Sequence, residues 1–343
     1  MDTQYIIERL QTLLAIPSPT GFTASAMEWL ANEVRSLGLE PITTVKGNVM
    51  VTVQGTTQGP TRLLASHVDT LGAMVREVKS TGRLKIVPIG GLPLVGAEGE
   101  NVQIHTRSGR AVSGTIMPIK SSVHLFGNEV RKDERTIDNV EVRLDEIVID
   151  TEDVRALGIE VGDYISLDPR TRVMESGFIK SRFLDDKSCC ALLLGILREL
   201  KDHPPRTTTH FMFSNYEEVG HGIYGLPADL REIISVDIGV IGSSQTAAYD
   251  KVTIFAKDGA TPYDHVLTTQ LVQLCQAHDI AYNIDVIDQY ASDASVAVRQ
   301  GIDVRIACIG PGVESTHHYE RTHLTSLEQT FKLLRAYLAS DLK

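Results

Sequence analysis

Between Phe183 and Ser214 the chain reads FLDDKSCCALLLGILRELKDHPPRTTTHFMFS, and this stretch sets the fold class. The apolar run after the paired aspartates predicts a core helix over Lys187–Leu200, and the Thr- and Phe-rich run beyond it predicts a strand over Thr208–Ser214. Downstream, strands are expected at Ile233–Ile238, near Val252–Ala256 and at Val304–Ile309, with helices over Tyr263–His278 and Leu324–Ala339. Upstream, Ile6, Ile7, Leu10, Leu13 and Leu14 fall at helical spacing, and so do Met27, Leu30, Val34 and Leu37 beyond the breaker IPSPTG. Short strands at Asn48–Val53 and Thr61–Ser66 follow, the second delivering the chain to His67. Alternating strands and helices imply an α/β fold with a mixed, mostly parallel sheet flanked by helices.

From Leu71 to Leu167 the texture changes. Met74–Val78, Leu84–Pro88, Asn101–His105, Val112–Met117 and Ile147–Asp150 read as short strands separated by Gly, Pro and Ser, almost without helical period. Residues 71–167 are therefore expected to form a small β-rich domain inserted into a larger domain made of residues 1–70 and 168–343.

The composition narrows the function. In 343 residues there are 33 Lys+Arg against 44 Asp+Glu, a formal net charge of −11, with 42% hydrophobic and 22% charged residues. That acidic balance, with basic residues in isolated pairs such as Arg131-Lys132, argues against nucleic acid as a partner. No window approaches the ~18 consecutive apolar residues of a membrane span, and Asp2 and Glu8 sit where a signal peptide would be basic and then apolar. A cytoplasmic protein with no membrane partner is expected. Cys189, Cys190, Cys275 and Cys308 form no CxxC pair and read as buried thiols.

Chemistry concentrates where strand-like runs end, the usual position of sites in α/β sheets. In SHVDTLG, His67 and Asp69 lie two apart, so in an extended chain both point to one side. A carboxylate so placed can orient a metal-binding imidazole; a structural pair is the plainer reading. In FLDDKS, Asp185 and Asp186 precede a helix. Capping accounts for one of them, and a carboxylate bridging two cations would account for the pair. In FMFSNYEEVGHG, adjacent Glu217 and Glu218 repel one another unless cations neutralise them; one could be a ligand and the other a general base, and a solvated acidic turn is the alternative. In IISVDIGV, Asp237 is the lone charge in an apolar run and needs a proton, a partner or a cation. Finally, ESTHHYERTH places His317, His318 and His323 after a strand. Together these donors are nitrogen and oxygen only, a set that suits Zn²⁺, Co²⁺ or Mn²⁺, and their number fits two divalent ions ~3.5–4 Å apart with a hydroxide between them.

These ordered motifs, with SPTGF near the start, the insertion opening at PIGG and the segment LGIEVGDYISLD, resemble the TET-type dinuclear metallo-aminopeptidases, a family of glutamyl and deblocking aminopeptidases sometimes labelled endoglucanase. The resemblance spans nearly the whole chain. It implies that His67 and Asp237 bind one metal, Glu218 and His317 the other, Asp185 bridges, Glu217 is the general base and Asp69 orients His67. His318 is the second choice for the late ligand, and His323 is expected to brace the following helix. It also implies short peptide substrates and a homo-oligomer, up to a dodecamer, assembled through the inserted domain. Two features depart from the common pattern: Thr70 replaces a frequent Glu, and THHYERTH replaces a shorter His-Ser-Pro segment. With KDGATPYDH and YASDASVAV, the late segment resembles a divergent branch found beside genes for an acetylated glutamine dipeptide, so an amidase or deacetylase acting on an acetylated or amidated dipeptide is the alternative. A metal-poor scaffold or binding protein is the alternative of another class.

Overall fold

The computed structural model describes residues 1–343, and the chain divides into two compact units, one of Met1–Asp69 with Arg170–Lys343 and one of Thr70–Pro169. In the larger unit the strands run in the order Ile42–Thr43, Val49–Val53, Thr207–Ser214, Thr57–His67, Leu230–Val236, Arg305–Glu314, Glu320–His323, Phe178–Ser181 and Arg172–Val173. The four strands Thr207–Ser214, Thr57–His67, Leu230–Val236 and Arg305–Glu314 pair in parallel, and antiparallel pairs flank them. The expected α/β architecture with a mixed sheet is present, its parallel pairing concentrated at the centre.

Central position explains the sequence of these strands. Thr61–His67 is buried throughout, and its middle, Leu63-Leu64-Ala65, is apolar on both faces and does not alternate. One face of the sheet carries a core of Leu63, Ala65, Met212, Ile233, Phe255 and Ile306, closed by Ala294 and Ala297. Elsewhere the helix Leu184–Leu200 packs on the strand Thr57–His67 and against the helix Thr3–Ala15. Gly195 permits that approach, since a Cβ there would stand 2.8 Å from Ile6 Cδ1. The N-terminal helices occupy Thr3–Ala15 and Ala24–Ser36, as their apolar spacing predicts, with Asp2 capping the first through the Tyr5 N–H.

The smaller unit is a closed barrel in the order Gly72–Val78, Leu84–Ile89, Val140–Leu144, Ala111–Pro118, Asn101–His105 and Tyr164–Leu167. Closure pairs every strand on both sides and leaves no edge. Along Ala111–Pro118 every second residue is buried, as a barrel wall requires. One expected strand is absent: Ile147–Asp150 is irregular, with Ile147 98% and Ile149 76% exposed, and Asp150 caps the helix Thr151–Ala156. Val140–Leu144 and Tyr164–Leu167 supply the pairing instead. Among the helices of the chain, none is long and apolar enough to cross a membrane.

Candidate metal centre

Parallel pairing brings three motifs to one edge of the sheet. Ser214 lies opposite His67, and Ser235 opposite Ala65, so the chain leaves the strands at neighbouring points with His67, the Glu217-Glu218 turn and Asp237. The neighbouring strand Arg305–Glu314 continues through Ser315 to His317. Gly310 allows Asp237 to sit against that strand, because a Cβ at Gly310 would lie 1.5 Å from the Asp237 carbonyl oxygen, and the Asp237 N–H donates to Ile309 O at 2.9 Å.

Asp185 stands between two imidazoles. Its Oδ1 is 3.2 Å from His67 Nε2, and its Oδ2 is 3.9 Å from His317 Nε2. Glu217 Oε2 lies 3.7 Å from His67 Nε2, while Glu218 Oε2 lies 3.7 Å from His317 Nε2, so the adjacent glutamates face different histidines. One ligand-type atom from each of His67, Asp185 and Asp237 lies within 4.8 Å of the others. The seven residues given site roles from the sequence, His67, Asp69, Asp185, Glu217, Glu218, Asp237 and His317, therefore meet in this region. His323 lies apart: its Nδ1 accepts the Thr325 N–H at 3.1 Å, capping the helix Leu324–Leu338, and its ring stacks edge-on to Phe178. His318 contributes its carbonyl oxygen to Arg182.

The helix-capping reading of the two aspartates does not hold. The helix assigned over Leu184–Leu200 has non-helical dihedrals at Asp185 and Asp186, and regular geometry begins near Lys187. Asp186 turns back to the strand, where its Oδ2 accepts from Ser66 Oγ at 2.7 Å and from the His67 N–H at 3.1 Å. Lys187, fully buried, donates to Leu13 O and Ile16 O; burial brings its pKa down to about 7.

Asp69 serves more than His67. The carbonyl oxygen of Asp69 lies 3.0 Å from His67 Nδ1, and its carboxylate is further off, at 3.8 Å. That carboxylate instead accepts the Glu217 N–H on Oδ1 at 3.1 Å, and the Glu218 N–H and the Thr20 hydroxyl on Oδ2 at 3.3 Å and 2.7 Å. Ser18 donates to Val68 O, so the early SPTGF motif braces the segment that carries His67. Glu320 was not singled out from the sequence, although it is 2% exposed and accepts the Asp185 N–H at 3.1 Å and the His317 N–H at 3.2 Å. Asp293, in the YASDASVAV segment, is also buried, and the Ser214 hydroxyl donates to its carboxylate. Neither residue carries a spacing signal that periodicity could reveal. Phe183, Tyr216 and His317 all adopt left-handed backbone angles, with φ of 68°, 73° and 66°. Such positions are costly for residues with a Cβ and gather at functional sites.

Electrostatics suit the cluster to a cation. Burial, followed by the repulsion of Asp185, pushes the Asp237 carboxyl up to about 7. Burial raises Glu217 well above the ordinary range, with Asp237, Asp293 and Glu218 adding repulsion. Glu218 rises in the same way, with Asp185 its strongest repelling neighbour. Desolvation by itself would lower the pKa of His67, yet Glu217, Asp185 and Asp186 hold it well above its usual value. Asp185 is drawn below the usual carboxylate range, its own desolvation outweighed by His67 and His317. Buried carboxylates that raise one another's pKa are relieved by divalent cations, and the nitrogen and oxygen donors here fit Zn²⁺, Co²⁺ or Mn²⁺.

The four cysteines are free and buried, as the sequence predicts.

Comparison with known proteins agrees with this architecture. The chain is 43% identical over 339 residues to the putative aminopeptidase YhfE of Bacillus subtilis, covering 98% of each. Aminopeptidase APDkam598 from Desulfurococcus kamchatkensis superposes with a TM-score of 0.88 at 21% identity, covering 99% of this chain and 96% of that one. The TET1 peptidase of Pyrococcus horikoshii, described as assembling into a tetrahedron or a large octahedral shell, superposes at 0.84 with 19% identity over 98% and 100%. At those identities the superpositions speak for the fold alone. The profile of the M42 glutamyl aminopeptidase family matches residues 47–333, and the chain, as its motifs led one to expect, belongs to that family.

Proposed function

We propose that the protein is a metal-dependent aminopeptidase that removes N-terminal residues from short peptides at a two-cation centre. The observation that carries this reading is the placement of Asp185, whose two oxygens each face a different histidine. His67 and Asp237 would hold one cation, Glu218 and His317 the other, and Asp185 would touch both. Zn²⁺ suits the donors best, with Co²⁺ or Mn²⁺ also accommodated. Bound there, divalent cations polarise the scissile carbonyl and lower the pKa of the attacking water.

The chain's own residues supply the rest. Glu217, on the turn held by Asp69, takes the proton of the attacking water and delivers it to the leaving nitrogen, the work of a general base followed by a general acid. Asp69 keeps His67 Nδ1 engaged through its carbonyl oxygen and keeps both glutamates in place through its carboxylate. Asp237 and Asp185 leave His67 facing a strongly negative surface, which favours cation capture.

The protein is further proposed to be cytoplasmic and to assemble as a homo-oligomer, up to a dodecamer, through the unit Thr70–Pro169. That unit carries exposed apolar residues, Leu125 at 79%, Val95 at 66% and Val161 at 61%, that an assembly would cover. The assemblies described for the TET1 relative support it.

Metal analysis of purified protein, before and after chelator treatment, is paired with hydrolysis of free and N-acetylated dipeptides. Two equivalents of metal and a preference for free N-termini are expected. Preference for the acetylated substrate would replace the reading with an amidase or deacetylase, and a metal-poor inactive protein would replace it with a scaffold. Light scattering of the intact chain and of a chain lacking residues 70–169 tests the assembly, and a monomeric intact protein would refute it.

A further inference from the structure

Glu320 opens the short strand Glu320–His323, which pairs with Phe178–Ser181 so that Ser181 lies opposite Glu320. The residue is 2% exposed, and its carboxylate ends on backbone amides from two distant parts of the chain, Leu184-Asp185 and His317. Oε2 accepts the Asp185 N–H at 3.1 Å and Oε1 accepts the His317 N–H at 3.2 Å. The His317 contact spans three residues and would by itself be an ordinary local turn. The Asp185 contact joins residues 135 apart in the chain and is not local.

Both amides belong to backbone that needs holding. His317 has φ 66°, a left-handed conformation that a residue with a Cβ keeps only when its surroundings fix it. Asp185, with φ −73° and ψ 105°, lies outside the regular helix that begins near Lys187, so no helical carbonyl settles its orientation. Burying a carboxylate is expensive unless its oxygens are engaged, and Glu320 engages one with each segment. With the two backbones tied to one rigid group, the side chains above them face each other, Asp185 Oδ2 at 3.9 Å from His317 Nε2.

We infer that Glu320 is a positioning residue that sets the separation of Asp185 and His317, and with it the second cation position. This rests on the reading of those two residues as ligands. The first position, formed by His67, Asp185 and Asp237, draws two of its three donors from segments that Glu320 does not touch. Loss of Glu320 therefore acts unequally on the two.

The test is a Co²⁺ titration of chelator-stripped full-length protein followed by visible absorption, on the wild type, Glu320→Gln and Glu320→Ala, with melting temperature recorded alongside. The wild type takes up two equivalents; failure there refutes the two-metal reading itself and leaves nothing for Glu320 to position. In Glu320→Ala the first equivalent, still held by His67 and Asp237, is weakened less than the second, and the second is weakened about 10–100-fold, the usual effect of losing a group that orients a ligand. Glu320→Gln keeps one acceptor oxygen and weakens the second equivalent by less; if the alanine variant does not fold, this variant decides the matter. Two wild-type equivalents with an unchanged spectrum in the folded variants, or equal weakening of both equivalents, would overturn the assignment.

Discussion

Thr20 donates its hydroxyl to Asp69 Oδ2 at 2.7 Å, with both side chains buried. Because the same carboxylate accepts the N–H groups of Glu217 and Glu218, a residue in the N-terminal turn helps fix the turn that carries the proposed base. Replacing Thr20 by Val removes the donor and keeps the shape, leaving a buried acceptor short of one partner at about 1–3 kcal/mol. In Thr20→Val, kcat is expected to fall about 10–10²-fold through misplacement of the turn, with metal content unchanged. Thr20→Ser restores it. Steady-state kinetics beside metal analysis checks this; a drop in melting temperature with full kcat would show that Thr20 only stabilises.

The paired glutamates separate by direction, since Glu217 faces His67 and Glu218 faces His317. Glu217→Gln keeps the shape of the side chain and removes its basicity, so it is expected to retain both cations and lose about 10²–10⁴ in turnover. Glu218→Gln is expected to lose metal first and activity as a consequence. Equal metal loss in the two variants would contradict this division.

The parts of this molecule readable from the sequence are those governed by periodicity. Apolar residues at helical spacing give Thr3–Ala15 and Ala24–Ser36, and short runs rich in Leu, Thr and Phe give the central strands that end at His67 and Ser214. Ile147–Asp150 misleads because a short β-branched run looks alike whether it pairs in a sheet or, as here, stands exposed. Phe178–Ser181 and Glu320–His323 have four residues each, and their pairing is set by partners far along the chain. Within the candidate site, residue type marks the donors, yet spacing cannot separate His317 from His318. The difference lies in one backbone angle, φ 66° at His317, and in a carboxylate that holds it. Glu320 and Asp69 act on N–H groups, and backbone partners leave no mark in a sequence.

The late histidines give a sharp contrast. His317 lies 3.7 Å from Glu218 and 3.9 Å from Asp185, whereas the His323 Nδ1 atom is occupied as a helix cap. His317→Ala is expected to lose about one equivalent of metal with little change in the metal-free melting temperature. His323→Ala is expected to keep the metal and cost about 1 kcal/mol, the usual loss for a removed cap. His318→Ala should leave metal content unchanged. Metal analysis and thermal denaturation of the three variants distinguish these outcomes, and metal loss confined to His323→Ala would show the ligand to lie elsewhere.

The buried carboxylates also fix how stability responds to pH. Burial, first among the causes, carries Asp237 up to about 7 and Asp293 up to about 6, against about 3.9 for an aspartate in an unfolded chain. Between those values the folded, metal-free chain holds protons that the unfolded chain has released. The stability these groups provide is complete below about pH 4 and is lost as pH rises through their folded values. His67 adds a loss of the same sign, since Glu217, Asp185 and Asp186 raise its pKa above the unfolded value despite its desolvation. Cations compete with protons for these ligands, so stabilisation by metal grows with pH. Chelator-stripped protein is therefore expected to show a melting temperature that falls from about pH 5 to about pH 7, below the range in which Lys187 loses its proton, with added Zn²⁺ raising it most at the upper end. Asp237→Asn, which cannot titrate, should flatten the metal-free slope. Calorimetry across that range, with and without Zn²⁺, measures both slopes; a metal-free melting temperature that climbs with pH would mean that these carboxylates are not held protonated by the fold.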